Sequence, residues 1–113
     1  MNITEKKIDN ISVIAVSGRI DSITSKDLEI ILNQAIDTSS KIIVNLADTD
    51  YISSSGLRVL LAGLKKLRQK KGEMRLTSLQ PVVRDVFEIS GISRLFLINK
   101  TLDAAVNSLQ AMQ

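Results

Sequence analysis

The chain has 113 residues, enough for one domain with a sizeable core, and its 44% apolar and 24% charged residues mark a soluble globular protein rather than a disordered one. It has no Cys and no His, which excludes disulfides, thiol nucleophiles, Ser–His triads and zinc sites of the usual kind. The net charge of +3 and sequence pI of about 9.4 require a nucleic-acid reading to be weighed, but the basic residues concentrate in Lys65, Lys66, Arg68, Lys70 and Lys71, at the end of a predicted helix and without aromatics for base stacking.

A solvated helix end accounts for that run better than a nucleic-acid footprint. No apolar stretch approaches the ~20 residues that cross a membrane, and residues 1–7 lack the apolar core of a secretory signal. A cytoplasmic protein with no membrane or direct nucleic-acid partner is the expectation.

In chain order, residues 3–8 and 11–17 are β-rich runs around the turn signal Asp9-Asn10, which predicts an antiparallel hairpin. Gly18-Arg19-Ile20-Asp21 ends the second strand. Thr24 then reads as a helix cap with Asp27 reaching back, ahead of a stripe of Leu28, Ile31, Leu32, Ala35 and Ile36. Residues 41–46 form a nearly continuous apolar run, the mark of a strand buried on both faces. Ala47-Asp48-Thr49-Asp50 reads as a loop. The next helix repeats Leu57, Leu60, Leu61, Leu64 and Leu67 and closes at Gly72 as its C-cap.

Residues 73–78 make another strand, with Met74 and Leu76 on one side. Pro81 opens a third helix with Val82, Val83, Val86, Phe87 and Ile89 as its buried side, ended by Gly91. Residues 95–98 form a short last strand, and Thr101 opens a final helix striped with Leu102, Ala105, Val106 and Leu109. Strands alternating with helices over the last two-thirds imply right-handed βαβ crossovers and helices covering a mixed sheet.

The functional signal lies in Tyr51-Ile52-Ser53-Ser54-Ser55-Gly56-Leu57-Arg58, where an apolar strand passes into an amphipathic helix. A helix start carries free N–H groups and partial positive charge, so it can accept a phosphate from a ligand or on a serine. One serine is enough to cap a helix; three are an excess that invites a functional reading. Asp48 and Asp50 are placed like phospho-acceptors after a central strand, but the acidic pair such a receiver needs after its first strand is absent, which leaves them as loop carboxylates.

The layout and motifs resemble the STAS domain, the fold of bacterial anti-sigma factor antagonists, over essentially the whole chain (residues 1–113 as a single domain). Gly18-Arg19-Ile20-Asp21 resembles the family's Gly-x-hydrophobic-Asp. Ile43-Val44-Asn45-Leu46-Ala47-Asp48 resembles its third strand and following loop. Ser53-Ser54-Ser55-Gly56-Leu57 stands where the family usually has Asp-Ser-Ser/Thr-Gly-Leu, and residues 72–74 and 81–91 resemble its later strand and third helix.

The resemblance implies an α/β fold with a mixed sheet of four to five strands, an N-terminal antiparallel hairpin and about four helices. It also implies a partner switch. Such an antagonist binds an anti-sigma factor that is also a serine kinase, is released when that kinase phosphorylates it, and is reset by a metal-dependent serine phosphatase. No cofactor or metal is implied. Carried over, the acceptor is Ser54, with Ser53 and Ser55 as rivals. Ser53 departs from the family's Asp. The partner surface comprises Asp21, Ser22, Thr24, Ser53, Ser54, Ser55, Gly56 and Arg58.

Two other function classes remain. One is an unswitched STAS interaction module in a larger signalling or transport assembly. The other is an enzyme or nucleotide binder using the serine loop as a phosphate cradle; the P-loop and dinucleotide glycine patterns are absent, and no His or Cys is present to activate a serine.

Overall fold

A computed structural model of the protein describes residues 1–112; the expected domain end at 113 lies one residue outside them. The elements run β1 (Asn2–Ile8), β2 (Ile11–Ile20), α1 (Ser25–Thr38), β3 (Lys41–Ile52), α2 (Ser54–Gln69), β4 (Glu73–Thr77), α3 (Pro81–Ile89), a short 3₁₀ turn (Ser93–Leu95), β5 (Leu97–Asn99) and α4 (Leu102–Gln110). The sheet order is β1-β2-β3-β4-β5, with β1 antiparallel to β2 and each later pair parallel. The expected hairpin, mixed sheet and four helices are therefore all present.

Side chains alternate across the sheet and divide the core in two. Ile14, Val16, Ile42, Val44, Leu46, Met74 and Leu76 pack with the apolar stripes of α1, α2 and α3. Ile11, Val13 and Ile43 point the other way and meet Ala105 and Leu109 of α4. Because β2 and β3 are buried on both faces, they read as continuous apolar runs.

Five local expectations need correction. The presumed loop 47–50 is part of β3, which runs on to Ile52 as a bulged strand. Its register against β2 slips between Ala15 and Ser17 and again between Gly18 and Arg19, so β3 carries extra residues there. Side chains fill the gaps. Asn45 Oδ1 accepts the Ala47 N–H at 3.0 Å, and the buried Thr49 hydroxyl donates to the Val16 carbonyl at 2.7 Å. Polar residues that normally signal a turn here serve as replacements for ladder bonds.

Next, Thr24 is not a side-chain cap. Its backbone is already helical (φ −73°, ψ −22°), and no capping bond forms. In α2 the left-handed residue after the helix is Lys71 (φ 61°), not Gly72. Gly72 is needed for space instead: its N–H donates to the Leu67 carbonyl at 2.7 Å, and an added Cβ would lie 2.6 Å from the Ser40 carbonyl oxygen. Finally, the buried stripe of α3 is narrower than its apolar content. Val83 and Phe87 are buried and Val86 is half-buried, whereas Val82 and Ile89 are 59% and 87% exposed. Phe87 meets Phe96 edge to face at 5.7 Å between centroids. Phe96 is buried, residues 93–95 before it form the 3₁₀ turn rather than strand, and the last strand begins only at Leu97.

Three residues of the basic run at the end of α2 make tertiary contacts. Lys66 Nζ donates to Asn33 Oδ1 at 2.9 Å, Arg68 Nη2 to the Leu95 carbonyl at 3.2 Å, and Lys70 to the Ile36 carbonyl near the end of α1. Lys41 does the same for α4, donating to the Leu109 carbonyl at 3.1 Å. Cations at helix C-termini complement unpaired carbonyls and the negative end of the dipole. On the α4 side, the nearly buried Arg75 pairs with Glu73 at 2.9 Å and reaches Ser108 and Met112, fastening the last helix to β4.

Because the obstruction at Gly72 is backbone that cannot rotate away, Gly72→Ala should destabilise the protein by about 2 kcal/mol. Urea unfolding at constant m-value measures this directly.

Candidate functional site

The serine junction is built from the ends of two parallel strands and the start of α2. The Ser53 N–H donates to the Ile20 carbonyl at 2.8 Å, which fastens the end of β3 to the last residue of β2. Ser53 has an extended backbone (φ −91°, ψ 171°) and is the N-cap: its hydroxyl accepts the Gly56 N–H at 3.3 Å. Its carbonyl accepts the Leu57 N–H at 3.0 Å, the first turn of the helix. Ser53 and Ser55 also share a hydroxyl–hydroxyl bond at 2.7 Å and are both half-buried.

Ser54, the first residue of α2, is exposed, and its hydroxyl engages no partner among the described residues. Gly56 is buried where α2 comes down on the strand ends; a Cβ there would stand 2.7 Å from Ile20 Cγ2 and 2.8 Å from Ile52 Cγ1. The glycine thus sets how closely the helix start approaches the sheet.

The bond from Ser53 to Ile20 also places the segment after β2 beside the junction. Asp21 organises that segment. Its Oδ1 accepts the N–H groups of Thr24 at 2.9 Å and Ile23 at 3.0 Å, and its carbonyl accepts the Ser25 N–H at 2.9 Å. Asp21 therefore does the capping work that the sequence pattern assigns to Thr24. Thr24 is half-buried and turned inward: its Oγ1 accepts the Asp21 N–H at 2.8 Å and shares its proton between the Arg19 carbonyl at 2.8 Å and Asp21 Oδ1 at 3.1 Å. The Thr24 N–H holds the Asp21 carboxyl below the usual carboxylate range; the Ile23 N–H, the Thr24 hydroxyl and the Arg19 charge add to this, and partial desolvation opposes it.

Ser22 is exposed and lines an open groove of about 430 Å³ between α1 and α2. Ser22, Lys26 and Glu29 form one wall, and Ser55, Arg58 and Ala62 the other. Of the residues expected at a partner surface, Ser22, Ser54 and Arg58 are exposed there, Ser53 and Ser55 shape the helix start, and Gly56, Asp21 and Thr24 are framework.

Lys26 and Glu29 escape the sequence-based list. They belong to exposed positions that recur every three to four residues along the start of α1, which is the available signal. Arg19 over the ring of Tyr51, 4.1 Å from its centroid, is also missed: the two residues are far apart in sequence but opposite one another across β2 and β3.

The fold and junction together define the class. The family profile of the STAS domain matches residues 2–105, and the chain belongs to that family. Among its relatives, BtrV of Bordetella bronchiseptica strain RB50, provisionally named an anti-sigma factor antagonist, is 40% identical over 106 residues, covering 93% of this chain and 91% of BtrV. An anti-sigma F factor antagonist of Paenibacillus polymyxa is 31% identical over 103 residues, covering 89% of this chain and 86% of that protein. The crystal structure of an anti-sigma factor antagonist from Mycobacterium paratuberculosis superposes with a TM-score of 0.88 at 26% identity, covering 96% of this chain and 93% of the other.

Two predictions follow from the geometry. Ser53→Ala should cost about 1 kcal/mol through loss of the cap, whereas Ser53→Asp, which keeps an acceptor for the Gly56 N–H and adds a favourable charge at the helix start, should be at least as stable as wild type; chemical denaturation of both variants is the check. Asp21 has a depressed carboxyl in the folded state, so its stabilising effect is present above the unfolded carboxylate range and fades as pH falls through the folded value. The stability gap between wild type and Asp21→Asn should therefore be constant near pH 7 and narrow below about pH 4, measured by thermal melts across pH.

Proposed function

We propose that the protein is an anti-sigma factor antagonist acting by partner switching, with residues 1–113 working as one cytoplasmic STAS domain. In its unphosphorylated form it binds an anti-sigma factor that is also a serine-protein kinase, and so regulates transcription indirectly. The kinase transfers the γ-phosphoryl group of ATP to Ser54 Oγ; the new O–P bond forms as the bond to ADP breaks, and the hydroxyl proton leaves to solvent or a kinase base. A metal-dependent serine phosphatase resets the switch. The protein itself contributes docking and an acceptor, not catalysis, and needs no cofactor, membrane or nucleic acid.

The observation that carries this reading is the contrast among three neighbouring serines. Ser53 and Ser55 are half-buried and bonded to each other, while Ser54 stands exposed at the first position of α2 with a hydroxyl that meets no partner among the described residues. A kinase can reach Ser54 without disturbing the fold, and the helix start can bear the added dianion where it stands. Ser53 and Ser55 are poorer acceptors, because modifying either would break the hydroxyl pair and, at Ser53, the cap. Ser53 also supplies, through its hydroxyl, the side-chain acceptor for the Gly56 N–H that an Asp at this position would provide, so its departure from the motif leaves the helix start capped.

Phosphate adds about −1.5 to −2 charges at one surface point. Against a closely packed partner that charge must be desolvated or meets like charge, and about 1.4 kcal/mol already weakens binding tenfold. Ser54→Asp should therefore lower affinity for the partner recovered from the native host by tenfold or more with the fold intact, and Ser54→Ala should bind constitutively. Calorimetry with both variants, together with intact-mass mapping of phosphate after incubation with that partner and ATP, tests the reading. Loss of binding in Ser54→Ala, or wild-type behaviour of both variants, would overturn it. Tight binding with no phosphate on any serine would indicate an unswitched adaptor in a larger assembly instead.

A further inference from the structure

Arg58 is the feature of the junction that the reading above leaves without a specific role. It lies four residues after Ser54 on α2, so the two side chains share one helix face. Side chains on a helix lean toward its N-terminus, which carries the arginine stem back over the turn that holds residues 54 and 55. Arg58 is exposed and belongs to no ion pair among the described residues, where the one ion pair is Arg75 with Glu73. The charged groups facing it across the groove are Lys26 and Glu29 of α1, which largely offset each other. The N-cap is a neutral hydroxyl, so no carboxylate stands between Arg58 and the residue at position 54.

Resting on the assignment of Ser54 as the acceptor, we propose that Arg58 is the phosphate clamp of the switch: when Ser54 is phosphorylated, the guanidinium folds back one helical turn and pairs with the phosphoryl oxygens. A planar guanidinium can make two parallel hydrogen bonds to such a group, which a lysine cannot match. Modification then acts twice on the docking face. It adds a dianion at Ser54, and it withdraws Arg58 from the α1–α2 groove that it lines. The helix is thereby stapled in its modified state with no change of fold.

The test uses full-length protein carrying phosphoserine inserted at position 54 during translation, so it requires no kinase. The second ionisation of the phosphate is followed by ³¹P NMR in wild-type, Arg58→Lys and Arg58→Gln backgrounds. A clamp favours the dianion, so Arg58→Gln should titrate about half a unit higher than wild type, Arg58→Lys should fall between, and the difference should shrink in high salt. Unphosphorylated Arg58→Gln should melt like wild type, because residue 58 is exposed. Superimposable titrations in the wild-type and Arg58→Gln backgrounds would overturn the clamp. Whether cells phosphorylate Ser54 is read separately by phosphate mapping of the native protein, so the clamp and the switch can fail independently.

Discussion

The seating of α2 on the ends of β2 and β3 is the constraint on which the rest of the site depends. Two small features impose it. The Ser53 N–H is spent on the Ile20 carbonyl, and Gly56 lets the helix axis come within contact distance of Ile20 and Ile52. Everything exposed at the junction follows from that closeness. Ser53 and Ser55 are drawn inward to each other, Ser54 is turned out, and the Asp21 segment is carried alongside because it continues directly from Ile20. A longer side chain at position 56 would lift the helix and dissolve the distinction among the three serines.

The surrounding polar groups make this seat rigid. Asp21 binds two amides of its own turn, Thr24 ties that turn back to Arg19, and Thr49 closes the neighbouring bulge onto Val16. The first two are local to one turn, whereas the last joins β3 to β2 across 33 residues of chain. The result is a stiff rim around an open α1–α2 groove. A protein recognised through such a rim needs little ordering on binding, so less of the interaction energy is lost to entropy.

Much of this was legible in the residues. The leucine spacing of α2, the doubly buried look of 41–46 and Pro81 at the first turn of α3 each rest on one dominant cause, periodicity or a missing N–H, and each came out as expected. The misses share a different origin. Asp48, Thr49 and Asp50 carry turn chemistry that tertiary structure diverts into a bulged strand, and no local rule distinguishes the two outcomes. Thr24 and Asp21 both have capping side chains, and only the backbone angles decide which is used. Gly72 looked like a left-handed terminus when its true constraint is the Ser40 carbonyl, more than thirty residues away in the chain. Likewise, nothing near Lys66 or Lys70 in sequence announces that they answer to α1.

The strand order has a kinetic consequence. Each strand lies beside the one made just before it, so the sheet can grow at one margin as the polypeptide is synthesised, and no strand must wait for a distant one to arrive. Such sequential pairing keeps loop closure short and favours rapid folding. Only α4 breaks the pattern, returning from the last strand to roof over β2 and β3, with Lys41 and Arg75 waiting to receive it. The five strands and the serine junction can therefore be assembled while the α4 side of the sheet is still uncovered.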